Sequence, residues 1–83
     1  MALFMDIHYR VPGVTPQAMV DAHKRDLECQ AKHGVRFRAS YFNTHEGRIY
    51  CLFEAPTPEA GAACHAEAHG NLADEITEVR EQI

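Results

Sequence analysis

The chain of 83 residues has the size of one domain, and its 46% hydrophobic and 24% charged side chains are an ordinary globular mixture. Its net charge of −4 arises from 12 acidic and 8 basic residues, and no basic run is longer than Lys24-Arg25. Phosphate groups are bound by clustered positive charge, so this composition argues against nucleic acid and anionic membrane surfaces as partners.

The N-terminal residues and the cysteines bear on location. No apolar stretch reaches the length of a signal peptide or of a membrane-spanning helix, which predicts a cytoplasmic protein. The three cysteines, Cys29, Cys51 and Cys64, are an odd number without a close pair. We therefore expect reduced thiols and no disulfide framework.

The first half of the chain predicts a strand followed by a helix. Residues 3–10 alternate in polarity, as strands with two different faces do. Thr15-Pro16 combines a hydroxyl cap with proline at the first helical position, so a helix is expected to begin there. It should end near His33, because Gly34 can adopt the left-handed capping conformation.

A hairpin follows. Residues 35–42 and 48–54 both alternate in polarity, and the segment 43–47, with sequence NTHEG, contains the Asn and Gly that favour a turn. In the returning strand Ile49, Cys51 and Phe53 share one side. Cys51 is accordingly interpreted as an inert buried thiol.

The second half repeats the plan of the first. Thr57-Pro58 predicts another helix start, and the helix should cover about residues 58–69 and end at Gly70. The closing segment ADEITEVRE, with Ile76 and Val79, predicts a short last strand. The order strand–helix–strand, strand–helix–strand is that of a single ferredoxin-like domain over residues 1–83, an α+β split βαβ sandwich with two helices on one face of a four-stranded antiparallel sheet.

The alternation also predicts the two faces of the sheet. The face expected to meet the helices carries Met5, Ile7, Val35, Phe37, Ile49, Cys51 and Phe53. The other is expected to carry Phe4, Asp6, His8, Arg38, Tyr50, Leu52 and Glu54. Large apolar groups such as Phe4 and Leu52 should not remain in water, so we expect a homodimer that covers this second face.

Six histidines are a high number for this length, and two of them lie in the segment CHAEAHG. His65 and His69 are four residues apart on the predicted second helix, so they share a face and can chelate one ion. A zinc-protease motif needs glutamate directly after the first histidine, whereas Ala66 occupies that position. Protease chemistry is therefore excluded, while a structural histidine pair and a chelating pair both remain open.

The first helix adds a second candidate pair. Its apolar seam is predicted to consist of Val20, Leu27 and Ala31, and His23 and Asp26 flank that seam three residues apart. This pair can share a metal ion with the pair on the second helix, or simply form a hydrogen bond. Cys29 and Cys64 are predicted on the outer sides of their helices, while His33 and His45 are interpreted as structural.

Several segments resemble, in order and spacing, a family of small bacterial nickel-binding proteins. The similar segments are MDIH, AHKRDLECQAKHGV, YCLFEAP and HAEAHGNLADEITEV, and together they span nearly the whole chain. The resemblance implies a dimeric ferredoxin-like protein that sequesters nickel without catalysis. It points to the polar positions of the shared motifs as candidate ligands, namely His8, His23, Asp26, His65 and His69.

Two alternatives to metal binding remain at this stage. A small-molecule-binding or enzymatic dimeric α+β-barrel would use the polar sheet face, with His8 as base, Asp6 orienting it, Arg38 holding an anionic substrate and Glu54 nearby. Such a protein needs a concave, partly dry pocket over that face. A regulatory domain with pH-sensing histidines is the other alternative, but no charged patch or apolar groove in the sequence supports it.

Overall fold

A computed structural model describes residues 1–82 of the chain. The elements are β1 (Ala2–His8), α1 (Pro16–His33), β2 (Arg36–Asn43), β3 (Arg48–Ala55), α2 (Pro58–Ala68) and β4 (Glu75–Glu78). The sheet is antiparallel with strand order β2-β3-β1-β4, and both helices lie on one of its faces. The predicted ferredoxin-like fold is confirmed.

The helix starts follow from the two threonine-proline pairs. The Thr15 hydroxyl accepts a hydrogen bond from the Ala18 N–H at 3.1 Å, and the Thr57 hydroxyl accepts one from the Ala60 N–H at 3.3 Å. Each cap satisfies one of the backbone donors that a helix start leaves free. Gly34 ends α1 in the left-handed conformation at φ 68°, as predicted.

The main core lies between α2 and the two central strands, β1 and β3. Its buried members are Phe4, Val35, Phe53, Ala55 and Cys64. Gly61 allows α2 to approach the sheet closely, because a Cβ atom at this position would overlap the Phe53 ring. His65 follows Gly61 by one helical turn, so this close contact also brings His65 near the sheet.

The predicted face assignment of β1 is wrong. Phe4, Asp6 and His8 point toward the helices, because they pair directly with Phe53, Cys51 and Ile49 of β3. Residues directly opposite each other in an antiparallel pair share a face. Leu3, Met5 and Ile7 therefore lie on the open face, although their alternation is the more apolar one.

A β-bulge interrupts the alternation of β2 after Phe37, which faces the helices as predicted. The register between β2 and β3 shifts between Phe37 and Ala39, so Arg38 is the extra residue of the bulge. Beyond it, Tyr41 lies opposite Tyr50 on the open face, and Ala39 lies opposite Leu52. The open face is consequently more apolar than predicted, with Leu3, Met5, Ile7, Tyr41, Tyr50 and Leu52.

The helix faces also differ from the prediction. Val20 and Leu27 are exposed, whereas Asp26 is the buried residue of α1. Cys64 is fully buried rather than on an outer side. Contacts with His65 and His69 compensate for the burial of Asp26. Neither helix within residues 1–82 combines the length and the hydrophobicity that a membrane span requires.

Candidate metal centre

Four ionisable side chains lie in the interior beneath the helices. They are Asp6 and His8 on β1, Asp26 on α1 and His65 on α2, and none is more than 4% exposed. Burying charged groups is unfavourable unless they pair with one another. Their mutual contacts therefore determine what the interior of this protein can do.

His65 bridges two carboxylates. Its Nδ1 lies 2.8 Å from Asp26 Oδ1, and its Nε2 lies 2.8 Å from Asp6 Oδ2. An ionised carboxylate only accepts hydrogen bonds, so both ring nitrogens carry protons and His65 is an imidazolium cation. A salt bridge with two acceptors thus joins β1, α1 and α2 through one ring.

His69 extends this network at the end of α2. Its Nε2 lies 3.0 Å from Asp26 Oδ1, within ion-pair distance, while its Nδ1 accepts a hydrogen bond from the Asn71 N–H at 3.1 Å. The backbone donor fixes the proton of a neutral imidazole on Nε2. Asp26 consequently faces two histidines four residues apart, with a hydrogen bond to His65 and an ion-pair contact to His69.

His8 and Asp6 are less completely paired. His8 Nε2 lies 3.3 Å from Asp6 Oδ1 without the alignment of a hydrogen bond. Asp6 Oδ1 and His8 Nδ1 are buried and have no hydrogen-bond partner among the described residues. Unpaired polar atoms in an interior are rare, and they commonly mark a site for an ion or water.

The pKa values of these groups follow from their pairing. Burial disfavours the charged form of His8, but the Asp6 carboxylate outweighs this effect and raises the pKa of His8 from 6.5 to about 9. Burial would raise the pKa of Asp6, yet the His65 and His8 side chains lower it from 3.8 to about 2. The pKa of His65 is strongly raised, because its two carboxylate partners overcome its burial.

The donor atoms form two groups that could hold a metal ion. An inner group consists of Asp6, His8, Cys51 and His65, and an outer group consists of Asp26, His65 and His69. Within each group the ligand atoms all lie within 4.8 Å of one another. Imidazole, carboxylate and thiolate suit nickel, zinc, copper and cobalt, so the residues fit a divalent transition metal.

A small cavity connects both groups to the surface. It has about 30 Å³ of space, and donors from both groups line it. One water molecule needs roughly 10–15 Å³ measured in this way, so an ion or a water can enter. Side chains from α1, β2 and β3 also line the cavity, including Met19, Phe42 and Ile49.

Most of the predicted ligands come together in this centre. His8, Asp26, His65 and His69 belong to the two groups, whereas His23 lines the cavity and belongs to neither. The His23 ring lies edge-on to Phe37, with 6.5 Å between ring centroids. The contacts of Asp26 are with His65 and His69, not with His23.

The other two histidines lie away from the centre. His33 Nε2 lies 3.3 Å from Glu67 Oε1, next to the Lys32–Glu67 ion pair that joins α1 to α2. His45 is exposed in the turn between β2 and β3. Neither belongs to a donor group, in keeping with the structural interpretation of both.

Sequence reasoning missed two members of the inner group. Asp6 was expected on the open face, and Cys51 was interpreted as inert. The detectable signal was the Asp-x-His spacing in β1, because residues two apart on a strand share a face. The cross-strand pairing of Asp6 with Cys51 completes the group and depends on the register.

The alternative site on the sheet does not exist in the predicted form. Arg38 and Glu54 approach each other at 4.0 Å, and Glu54 belongs to the open face through its pairing with Leu3. Asp6 and His8 lie on the opposite face, beneath the helices. A base on one face cannot act together with an anion-binding arginine on the other.

This protein is thus a ferredoxin-like domain whose buried imidazole, carboxylate and thiol donors around a small cavity could hold a metal ion. The chain belongs to the family described as "Nickel responsive protein SCO4226-like", whose model matches residues 4–79. The resemblance found in the sequence is thereby confirmed.

A solved structure agrees with this membership. The crystal structure of SCO4226 from Streptomyces coelicolor A3(2) matches with a TM-score of 0.91 and 38% sequence identity. The match covers 99% of this chain and 100% of that chain, so the two share one architecture throughout. Among curated proteins, none matches this chain significantly.

Proposed function

We propose that this protein binds a divalent transition metal, with nickel favoured, at the buried centre around His65. The role of the bound state is sequestration or homeostasis of the ion, without catalysis. Coordination by neutral imidazoles and carboxylates is the mechanism, so an ion displaces the protons that the histidines carry in the metal-free protein.

The observation that supports this proposal most directly is the convergence of donor atoms at His65. Side chains from β1, β3, α1 and α2 direct ligand atoms toward the same small volume, and His65 belongs to both groups. The buried Asp6 Oδ1 lacks a hydrogen bond, so an ion would supply the partner it needs. A purely structural network would be expected to satisfy its own members.

Family membership supports nickel over the other candidates. Donor chemistry alone cannot choose among nickel, copper and zinc, because imidazole suits them all. The matching family is described as nickel responsive. The cytoplasm is the proposed location, since thiols such as Cys51 remain reduced there.

A homodimer is part of the proposal. The open sheet face carries Leu3, Met5, Ile7 and Leu52 in adjacent positions of the central strands, with Tyr50 beside them. A contiguous apolar face of this kind is characteristic of a surface that a partner covers. A second copy of the chain can cover it by stacking sheet against sheet.

The test is a calorimetric titration of the untagged wild-type protein with nickel, zinc, copper and cobalt, together with elemental analysis of the purified protein. The proposal predicts saturable nickel binding, and affinity should increase with pH as imidazolium protons become easier to displace. Absence of saturable binding of all four metals at pH 7.5 would contradict it.

A further inference from the structure

We propose that the primary ion position is the inner group, where the Cys51 thiolate is a ligand together with His8, His65 and Asp6. This inference rests on the proposed metal-binding function and deepens it, because it defines a thiolate-ligated site for borderline and soft divalent ions. The outer group of Asp26 and His69 then serves to orient His65.

The strand register positions three of the four inner donors. Asp6 and Cys51 are direct cross-strand partners on β1 and β3, and His8 follows Asp6 by two residues on the same face. These strands are the two central ones of the sheet, so the positions of their Cα atoms are well fixed. A site on rigid strands is pre-organised for an ion.

Unsatisfied atoms favour the inner group over the outer one. Asp6 Oδ1 and His8 Nδ1, the two buried polar atoms without a hydrogen bond among the described residues, both belong to the inner group. In the outer group the corresponding atoms of Asp26 and His69 are already paired with each other and with their neighbours. An ion at the inner position can therefore bind next to polar atoms that have no hydrogen bond to lose.

The outer group also loses a hydrogen bond if it ligates through His69 Nε2. The proton of that nitrogen would have to move to Nδ1, where it would face the Asn71 N–H, which now donates to Nδ1 at 3.1 Å. The Nδ1–H of His69 and the N–H of Asn71 would then face each other without an acceptor between them. No such conflict affects His8, because its Nδ1 has no partner among residues 1–82.

The distances suit direct coordination after a small contraction. Ligand atoms of the inner group lie within 4.8 Å of one another. An ion with bonds of about 2.0–2.3 Å holds its tetrahedral ligands roughly 3.3–3.8 Å apart. Because 4.8 Å is an upper bound on these separations, the contraction needed is at most about 1–1.5 Å, which side-chain rotation can supply. His8, Cys51 and His65 already border the cavity.

Proton balance assigns a role to Asp26. When the ion binds, three groups lose a proton to solvent, namely the Cys51 thiol, His65 Nε2 and the imidazolium of His8, because a ligating nitrogen must be deprotonated. His65 Nδ1–H lies 2.8 Å from Asp26 Oδ1 in this structure, and it continues to donate to that oxygen when the ion binds. A carboxylate on the far nitrogen of a ligating histidine fixes the ring and increases its basicity.

Cobalt(II) titration of the full-length protein tests this inference, because a cobalt–thiolate bond gives a charge-transfer band in the near ultraviolet. Wild type should develop the band as cobalt binds. Cys51→Ser should lose the band and bind cobalt about 10-fold more weakly or worse, as second-shell losses alone have effects of that size. The matched thiol control Cys29→Ser and the outer-group variant His69→Ala should both retain the band.

The outcomes separate this inference from the proposed function. Calorimetric cobalt binding by wild type without the band, or a band that persists in Cys51→Ser, overturns the inference and leaves metal binding intact. Absence of any binding heat overturns both. X-ray absorption of nickel-loaded wild type needs no variant and should detect one sulfur ligand, whereas a shell with only nitrogen and oxygen would contradict the inference.

Discussion

His65 and Asp26 are 39 residues apart in sequence, yet Nδ1 of one lies 2.8 Å from Oδ1 of the other in the interior. This contact joins α2 to α1 and places a cation between two carboxylates. Burial of an unpaired charge is unfavourable, so each partner depends on the other.

Replacing Asp26 with asparagine should therefore destabilise the metal-free protein. The variant keeps the shape of the side chain but removes the charge that faces His65 and His69. Breaking a buried pair lowers the free energy of unfolding by about 3 kcal/mol. Urea denaturation measures the change, and the exposed Asp21→Asn on the same helix is the matched control, with an expected change within about 0.5 kcal/mol.

Glu67→Gln should leave nickel affinity nearly unchanged. Glu67 lies between the two histidines in sequence, but its carboxylate accepts hydrogen bonds from Lys32 and Cys29 on the side of α2 away from the donors. Its side chain is 39% exposed, so the loss of this solvent-screened ion pair should have little effect on stability. A severe loss of nickel binding in this variant, measured by calorimetry, would mean that Glu67 is a ligand or a catalytic group.

Stability of the metal-free protein should decrease as pH rises above neutrality. The pKa of His8 is raised from 6.5 to about 9 by Asp6, so the folded state binds this proton more tightly than the unfolded state. That contribution is complete below pH 6.5 and is lost as pH approaches 9, a decrease on the order of 3 kcal/mol. Urea denaturation at pH 6, 7.5 and 9 measures it.

Asp6 has the opposite pH dependence. Its pKa is lowered from 3.8 to about 2, so its contribution is present above pH 3.8 and is lost as pH falls toward 2. The metal-free protein should thus be most stable between about pH 4 and 6.5. His65, whose pKa is also strongly raised, contributes to the alkaline decrease too. His8→Gln should therefore reduce the alkaline slope without abolishing it, and an unchanged alkaline slope in that variant would contradict the contribution of His8.

Light scattering should detect a dimer at micromolar concentration. Leu52→Glu places a charge at the centre of the open sheet face, opposite Met5, and should shift the protein to a monomer. Val20→Glu is the control, because Val20 is exposed on α1, away from the sheet. A wild-type monomer, or a Leu52→Glu dimer of unchanged stability, would exclude the sheet face as the interface.

Local signals predicted the elements of the fold well. The Thr15-Pro16 and Thr57-Pro58 pairs gave both helix starts, and the alternating segments gave the hairpin of β2 and β3 with its turn. These features depend on neighbours in sequence, namely capping hydroxyls and glycines with positive φ. They are therefore readable without knowledge of tertiary contacts.

The interior was harder to predict because its polar members depend on remote partners. Asp6 is buried since His65, 59 residues later, donates to it. From polarity alone β1 should turn Met5 and Ile7 inward, and the actual register places them on the open face. Shifting the register by one residue exchanges the two faces of a strand. A polar cluster in the core therefore reverses the face that a hydrophobicity pattern predicts.

The candidate ligands were partly accessible from sequence. Helical spacing brought His65 and His69 together, and the family resemblance pointed to His8 and Asp26 as well. Cys51 could not be assigned, because a lone cysteine in an apolar strand is usually an inert core residue. Only its pairing with Asp6 across the sheet places its sulfur beside the imidazoles.

The most direct test of metal binding at this centre is nickel calorimetry on His65→Gln, because His65 alone belongs to both donor groups. The matched control is His45→Gln in the exposed turn, and circular dichroism verifies that each variant is folded. The prediction is saturable nickel binding in wild type and His45→Gln, and a loss of at least about 10-fold in affinity in folded His65→Gln. Equal nickel affinity in all three proteins would show that the centre around His65 holds the fold together without binding the ion.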